Sequence, residues 1–260
     1  MTREVVVKTH KGRGKMPRCP TCHRPATPLY LQVKGSKVLS GEYKCVSCQK
    51  LVDAIIRPPA RPYNADIRDF LATHHEKYEV IYADPPWRFQ EASEASSKSP
   101  ERYYSTMSGE EIKTLPVQNI AEKNSILFMW GVATMTELAY EVMRSWGFIP
   151  EGQIIWEKIS SNGKPRMGLG GKVRYSHELL LIGHRGKPEK AKYQTPSVIT
   201  SKITKHSEKP ELFWVLIENM FPTAKRIELF ARKPRIGWTS VGNQIPVGEE
   251  MAVSVAENLT

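Results

Sequence analysis

Apolar residues along the chain fall into short continuous runs and longer stripes of helical period. Residues 78–83 (YEVIYA) are a largely apolar run that stops at Asp84-Pro85-Pro86-Trp87. A buried strand whose carboxyl end delivers an acid into a cleft has this form. Residues 125–130 (SILFMW) are a second run. Met135, Leu138, Ala139, Val142, Met143 and Trp146 then recur at i, i+3, i+4, i+7, i+8 and i+11, and Gly147 follows. That spacing predicts an amphipathic helix over 135–146 whose Met and Trp stripe is core. Residues 153–156 (QIIW), 178–183 (ELLLIG) and 226–231 (RIELFA) predict further strands. Pro210 and Glu211 open another helix, with Leu212, Val215, Leu216 and Met220 on one face and Pro222 past its end. Strands alternating with helices predict an α/β fold with a mostly parallel sheet covered on both faces. In such sheets functional groups gather beyond the carboxyl ends of the strands. Residues 29–44, with Gly35-Ser36 and Ser40-Gly41 as turn signals, predict short strands of a separate N-terminal module.

Composition sets the scale. The chain has 260 residues, 40% of them hydrophobic, which suits one catalytic α/β domain plus a small appendage and excludes a disordered tail. No run of about 18 apolar residues occurs. The N-terminal MTREVVVKTHKGRGK has no apolar stretch of signal-peptide length, so a soluble, cytoplasmic protein is expected. Residues 57–63 (RPPARPY) hold three prolines, favour extended backbone and read as a linker. The expected organisation is a basic module over 1–56, the linker over 57–63, a catalytic domain over 64–247 and a tail over 248–260.

Charge and cysteine both concentrate at the N-terminus. Residues 1–62 carry 13 lysines and arginines against three acids, so they hold +10 of the formal net charge of +11. Such a cluster attracts phosphate by counterion release, and nucleic acid is the expected partner. All four cysteines lie here, as Cys19-Pro-Thr-Cys22 and Cys45-Val-Ser-Cys48, two C-x-x-C pairs separated by 22 residues. The spacing matches a zinc ribbon. Disulfides do not suit a cytoplasmic chain, and a thioredoxin-like pair would want a βαβ setting. The expectation is a structural zinc on Cys19, Cys22, Cys45 and Cys48, with His23 a surface residue. Four thiolates on Zn²⁺ leave about two negative charges, so the module stays basic at roughly +8.

Asp84-Pro85-Pro86-Trp87 carries the chemistry. An exocyclic amine on a nucleobase is a poor nucleophile because its lone pair is delocalised into the ring. A carboxylate and a backbone carbonyl can each accept one of its N–H groups and draw the nitrogen toward tetrahedral geometry. Asp84 supplies the first and Pro85 the second, in a direction fixed by the locked φ of Pro85 and Pro86. Trp87 offers a flat face to an extruded base. With an activated methyl donor, positioning and hydrogen bonding can do most of the work.

Around this motif the sequence resembles the DPPW-type adenine N6-methyltransferases, the seventy-kilodalton methyltransferase-A subunit family, over roughly residues 62–247. The resembling blocks occur in order: Asp66-Ile67-Arg68, Asp84 to Trp87, Tyr104-Ser105-Thr106-Met107-Ser108, Ile154-Ile155-Trp156, Glu178, His206 to Pro210, Arg226 to Arg232, and Gly242-Asn243-Gln244. Ala231 departs from relatives that have glycine there. The resemblance implies a seven-stranded Rossmann-like sheet with one antiparallel strand, in the β-class permutation. It implies S-adenosylmethionine as cofactor, with Asp66 and Ile67 at its adenine end, Lys209 on its carboxylate, Glu228, Arg232, Asn243 and Gln244 about the ribose and neighbouring atoms, and Asp84 also among the cofactor-binding residues. Trp87, Tyr104, Trp156 and Glu178 are implied on the substrate side. The Gly-rich stretch 160–174 carries Lys164, Arg166, Lys172 and Arg174 without an acid and is a candidate nucleic-acid loop; a plain surface loop is the alternative. Residues 88–104 are Ser-rich and follow the motif, with Tyr104 as a candidate gate. The expected activity is adenine N6-methylation of DNA. RNA adenosine methylation, cytosine N4-methylation and an inactive nucleic-acid-binding scaffold are the alternatives, and the assembly state, a homodimer included, stays open.

Overall fold

A computed structural model of the chain describes residues 59–88, 106–168, 172–203 and 208–246, and four strands before them by backbone alone. In chain order the elements are β1 (Val5–Val7), β2 (Ala26–Val33), β3 (Ser36–Cys45), β4 (Leu51–Asp53), β5 (Arg61–Tyr63), α1 (Ile67–Thr73), β6 (Tyr78–Ala83), α2 (Gly109–Lys113), β7 (Ala121–Gly131), α3 (Thr136–Ser145), β8 (Ile149–Ile159), β9 (His177–Arg185), β10 (Val198–Lys202), α4 (Leu212–Met220), β11 (Arg226–Leu229) and β12 (Thr239–Val241). The first four strands form one sheet in the order β1-β2-β3-β4, and the other eight form a second in the order β10-β8-β9-β7-β6-β11-β12-β5. The chain divides into two compact units. One comprises Met1–Ile56, Ile155–His177 and Lys190–Thr223, and the other Arg57–Ile154, Glu178–Glu189 and Ala224–Thr260.

In the second unit β7, β6, β11, β12 and β5 run parallel, and β9 pairs antiparallel with β7. The alternating strands and helices expected from the sequence are present, with one antiparallel strand where one was expected. The sheet has eight strands instead of seven. β5, at one edge of the sheet, lies in the stretch read as a linker. It carries Pro62, whose missing N–H is tolerated on an edge.

β6 is buried at every residue but Glu79, as a central parallel strand with both faces covered must be. α3 buries Ala139, Val142 and Met143. It ends where Trp146 donates its N–H to the Val142 carbonyl at 3.0 Å and Gly147 turns the chain at φ +83°. The Trp146 indole N–H reaches the Ile112 carbonyl at 2.8 Å, so this large core side chain leaves no polar atom unmet.

In the first unit β2 and β3 form an antiparallel hairpin in which Ala26 stands opposite Cys45, and β4 returns along β3. β10 runs parallel to residues 155–159 of β8. α4 buries Phe213, Trp214, Leu216 and Ile217, whereas Leu212 and Val215 are half-buried. The buried face therefore differs from the expected Leu212, Val215, Leu216 and Met220. In Leu-Phe-Trp-Val-Leu-Ile every position is apolar, so spacing cannot select a side. No helix among the described residues is long and apolar enough to cross a membrane.

Candidate active site

The registers of the parallel strands set up the site. Ala83 of β6 stands opposite Met129 of β7 and Leu229 of β11, Leu229 opposite Val241 of β12, and Val241 opposite Tyr63 of β5. The carboxyl ends of β5, β6, β11 and β12 thus form one row. The residues just beyond it are Asn64 to Asp66, Asp84 to Trp87, Phe230 to Arg232 and Gly242 to Gln244. Four blocks singled out in the sequence, up to 180 residues apart, leave the sheet along one edge. From β6 the chain proceeds to β7 on one side, while β11 occupies the other. The strand order reverses between β6 and β11, and the crevice at such a reversal is where open α/β sheets bind ligands.

Asp84 is half-buried at the head of a tight turn. The Pro85 carbonyl accepts the Trp87 N–H at 2.9 Å, closing a three-residue turn. One lone pair of this oxygen is therefore already engaged, and the second remains for a further donor. The Pro86 carbonyl accepts the Met107 N–H at 2.8 Å, and the Arg88 N–H donates to the Met107 carbonyl at 3.0 Å. The Arg88 guanidinium adds bonds to Thr106 Oγ1 at 3.2 Å and to the Thr106 carbonyl at 3.1 Å. These bonds join the residues just before 89–105 to those just after. Ser108 then caps α2 in a reciprocal box with Glu111. The Ser108 backbone N–H, and after it the Ser108 hydroxyl, hold the Glu111 carboxyl below its ordinary range. Arg68 of α1 pairs with the same carboxylate at 3.2 Å.

Trp87 is 5% exposed. Its indole N–H donates to the Trp130 carbonyl at 3.0 Å, and the Trp130 indole N–H donates to Tyr82 Oη at 2.5 Å. The base-stacking face expected of Trp87 is thus largely covered, and its ring is fixed on β7. Burial, and next the Glu228 carboxylate, push the Tyr82 phenol well above its ordinary value, so it stays neutral. Tyr82 and Trp130 form a floor beneath the motif.

At the other end of the row, Asp66 caps α1 by accepting the Arg68 N–H at 2.8 Å, and Ile67 behind it is buried. Gly242 donates to the Tyr63 carbonyl at 3.1 Å, Ala231 to the Val241 carbonyl at 2.8 Å, and Asn64 Nδ2 to the Ile245 carbonyl at 2.5 Å. A Cβ on Gly242 would collide with the Ala231 carbonyl, so only glycine allows this approach. Phe230 turns the chain out of β11 at φ 63°, a costly conformation for a bulky side chain. Glu228 is 8% exposed beneath the edge, while Arg232, Asn243 and Gln244 are exposed on it. A carboxylate, two amides and a guanidinium on one strand edge provide donors and acceptors of the kind that hydroxyl groups and the edge of an adenine require. The donor set therefore fits S-adenosylmethionine.

The remaining expected residues come from other segments of the chain. Lys209 is half-buried in the first unit, two residues before Glu211, the N-cap of α4. Trp156, also in that unit, is 2% exposed and packs edge-on against Phe213 at 6.3 Å between ring centres. Glu178 is half-buried on β9. Lys164, Arg166, Lys172 and Arg174 are all exposed. Tyr104, with Cys19, Cys22 and Cys48, lies outside the described residues, and Cys45 is placed by its backbone alone. Among the described residues no cluster of His, Cys, Asp and Glu could hold a metal ion.

Sequence reasoning missed Asn64, Tyr82, Trp130 and Phe230. Each was visible only as an ordinary strand or loop residue; Asn64, Tyr82 and Trp130 acquire their roles from partners distant in the chain, and Phe230 from its left-handed backbone.

The geometry agrees with comparisons to known proteins. The MT-A70 family matches residues 78–244. An N(6)-adenosine-methyltransferase MT-A70-like protein of Arabidopsis thaliana is 32% identical over 65% of this chain and 24% of its own length. The N(6)-adenosine-methyltransferase catalytic subunit METTL3 of Homo sapiens is 28% identical over 64% of this chain and 28% of its own. The type II methyltransferase M.MunI of Mycoplasma sp is 30% identical over 60% of this chain and 73% of its own. The chain spans about a quarter of the length of the eukaryotic relatives it matches. A match covering well over half of the chain, on residues that the sheet gathers along one edge, places this protein in the MT-A70 family.

Proposed function

We propose that the chain transfers a methyl group from S-adenosylmethionine to the N6 amine of adenine in DNA. The observation that carries this reading is the position of Asp84-Pro85-Pro86-Trp87 at the carboxyl end of β6, in one row with the ends of β5, β11 and β12. S-adenosylmethionine supplies an electrophilic methyl group. The chain supplies two acceptors: the Asp84 carboxylate takes one amine N–H and the Pro85 carbonyl, through its second lone pair, takes the other. The turn at Pro85 and the Trp87–Trp130–Tyr82 floor keep both acceptors aimed before the base arrives, so little reorganisation is left to the reaction step. Asp66, Glu228, Arg232, Asn243 and Gln244 address the cofactor's adenosine, and Lys209 its carboxylate.

DNA is favoured over RNA by the match to M.MunI, which extends over 73% of that protein, while the adenosine methyltransferases are matched over about a quarter. The names of those same relatives support RNA as the second reading. Transfer of labelled methyl groups to duplex DNA, single-stranded DNA and RNA, followed by digestion to nucleosides, separates the two. Label is expected in N6-methyldeoxyadenosine and lost by about 10²–10³-fold in Asp84→Asn with an unchanged circular dichroism spectrum. Label in RNA alone moves the assignment to RNA, and label in no nucleic acid ends it.

The basic N-terminal segment is proposed to hold one structural zinc on Cys19, Cys22, Cys45 and Cys48. Two observations support the fit. Ala26, four residues after Cys22, stands opposite Cys45, and β4 returns beside β3 within six residues of it. Four thiolates with no open position suit a structural ion. Metal analysis at one zinc per chain checks it.

A further inference from the structure

β6 is a central strand, and apolar side chains suffice at its buried positions. Tyr82 is fully buried yet carries a hydroxyl, which costs stability unless it is hydrogen-bonded. What this hydroxyl meets indicates what it is for. It accepts the Trp130 indole N–H at 2.5 Å, and the Trp130 carbonyl accepts the Trp87 indole N–H at 3.0 Å. On the β7 side the phenol is therefore joined to the far end of the Asp84 turn.

On the other side of β6, Glu228 of β11 stands opposite Tyr82 in the parallel ladder. Registered residues of neighbouring strands leave the sheet on one face, about 4.8 Å apart. Glu228 is 8% exposed, so its carboxylate lies in the same buried layer. Burial first, then the Glu228 charge and more weakly the Asp84 charge, keep the phenol protonated. Trp238 packs edge-on against the Tyr82 ring at 6.1 Å between ring centres and helps to fix it. All of these residues belong to the second unit. A neutral phenol has one proton to give and lone pairs to receive with. Here Trp130 occupies the receiving side, and two acids lie within electrostatic reach of the proton, one on the proposed cofactor side and one in the catalytic turn.

We propose that Tyr82 is a positioning residue that couples cofactor binding to the catalytic turn: when cofactor hydroxyl groups donate to Glu228, the Tyr82 O–H turns to Asp84 and sets its carboxylate for the incoming amine. The proposal rests on the reading of Glu228 as a cofactor residue of an adenine methyltransferase. Without cofactor the same proton serves Glu228, and Asp84 is less well aimed. Cofactor and target base then bind cooperatively, each tightening the other by one common factor.

The test measures that factor. Affinity of the full chain for an oligonucleotide that it methylates is read by anisotropy with and without sinefungin, an unreactive cofactor analogue. Sinefungin affinity is read by calorimetry with and without the oligonucleotide. The wild type should bind the oligonucleotide at least about fivefold more tightly with sinefungin, and sinefungin more tightly with the oligonucleotide by the same factor. In Tyr82→Phe the factor should fall below about twofold, while sinefungin affinity without nucleic acid stays within about threefold of the wild type. Tyr82→Phe leaves the buried Trp130 N–H without its acceptor. The second variant, Tyr82→Phe/Trp130→Phe, removes donor and acceptor together and should lose the coupling as well. Coupling at the wild-type factor in either variant, or none in the wild type, would overturn the role of Tyr82 and leave the methyltransferase reading intact. A wild type that transfers methyl groups to no nucleic acid would end both.

Discussion

Glu76 shows how much one side chain settles at the edge opposite the site. Its carboxylate accepts from Arg61 Nη1 at 2.7 and 2.9 Å and from Tyr78 Oη at 2.8 Å, and pairs with Lys225 Nζ at 2.6 Å. One acid thus ties β5, β6 and the entry to β11 together at their amino ends. The Arg61 guanidinium above all holds the carboxyl down to about 2, from an ordinary 4.5. A carboxyl with a depressed folded value stabilises fully above its unfolded value, and that contribution fades as pH falls from about 4.5 toward 2. Glu76→Gln should therefore lower Tm at pH 7, by about 1–2 kcal/mol in stability, and by much less near pH 3. Thermal melts of both proteins across that window check the sign; an undiminished difference at low pH would place the loss in packing. None of this was legible in the sequence. Glu76 lies between His75 and Lys77 in a polar stretch, and its partners are 2, 15 and 149 residues away.

At the level of elements, legibility followed the locality of the signal. β6 announces itself as a largely apolar run because both its faces are covered, whereas β11 buries Arg226 and Glu228 with Ile227 and Leu229. α3 is readable because its stripe is clean and Gly147 supplies a left-handed stop. β5 has no such signal: Arg-Pro-Tyr becomes a strand only because Thr239–Val241 offers it a ladder. β11 was read two residues too long, since nothing local warns that Phe230 turns into left-handed backbone. The acid and the prolines could be named from residue type, and the polar edge from the family resemblance, whereas the floor under Trp87 depended on Tyr82 and Trp130 meeting across adjacent strands. Gly242 carries the consequence for stability. Its Cα side faces the Ala231 backbone with no room for a methyl group. Gly242→Ala should cost about 1–3 kcal/mol in a denaturant titration, and should weaken S-adenosylmethionine binding by calorimetry because Asn243 and Gln244 follow directly. Gly152→Ala, where a Cβ meets nothing within 4 Å, is the matched control and should change neither.

For the whole molecule, the charge distribution suits a division, under the proposed function, between gripping DNA and reacting with it. The residues after 62 carry 25 lysines and arginines against 24 acids, so the part bearing the row of strand ends is nearly neutral, and the excess lies before it. A catalytic edge that attracted phosphate strongly would hold the backbone where the base should go; a basic segment elsewhere in the chain can supply affinity without that conflict. Each phosphate contact contributes about 0.9 to the slope of log K against log salt. Lys8, Lys11, Arg13 and Lys15 precede the first cysteine, so replacing all four with glutamine leaves the proposed zinc ligands intact, and zinc content serves as the control for folding. If all four meet phosphate, the slope measured by anisotropy between about 50 and about 200 mM salt should flatten by up to about 3.6. The methylation rate at saturating DNA should hold, because in the proposed reaction Asp84 and the Pro85 carbonyl act on a base already delivered. A fallen saturating rate with an unchanged slope would mean that the segment shapes the reacting complex instead of recruiting it, and the division of labour inferred from the charge would be wrong.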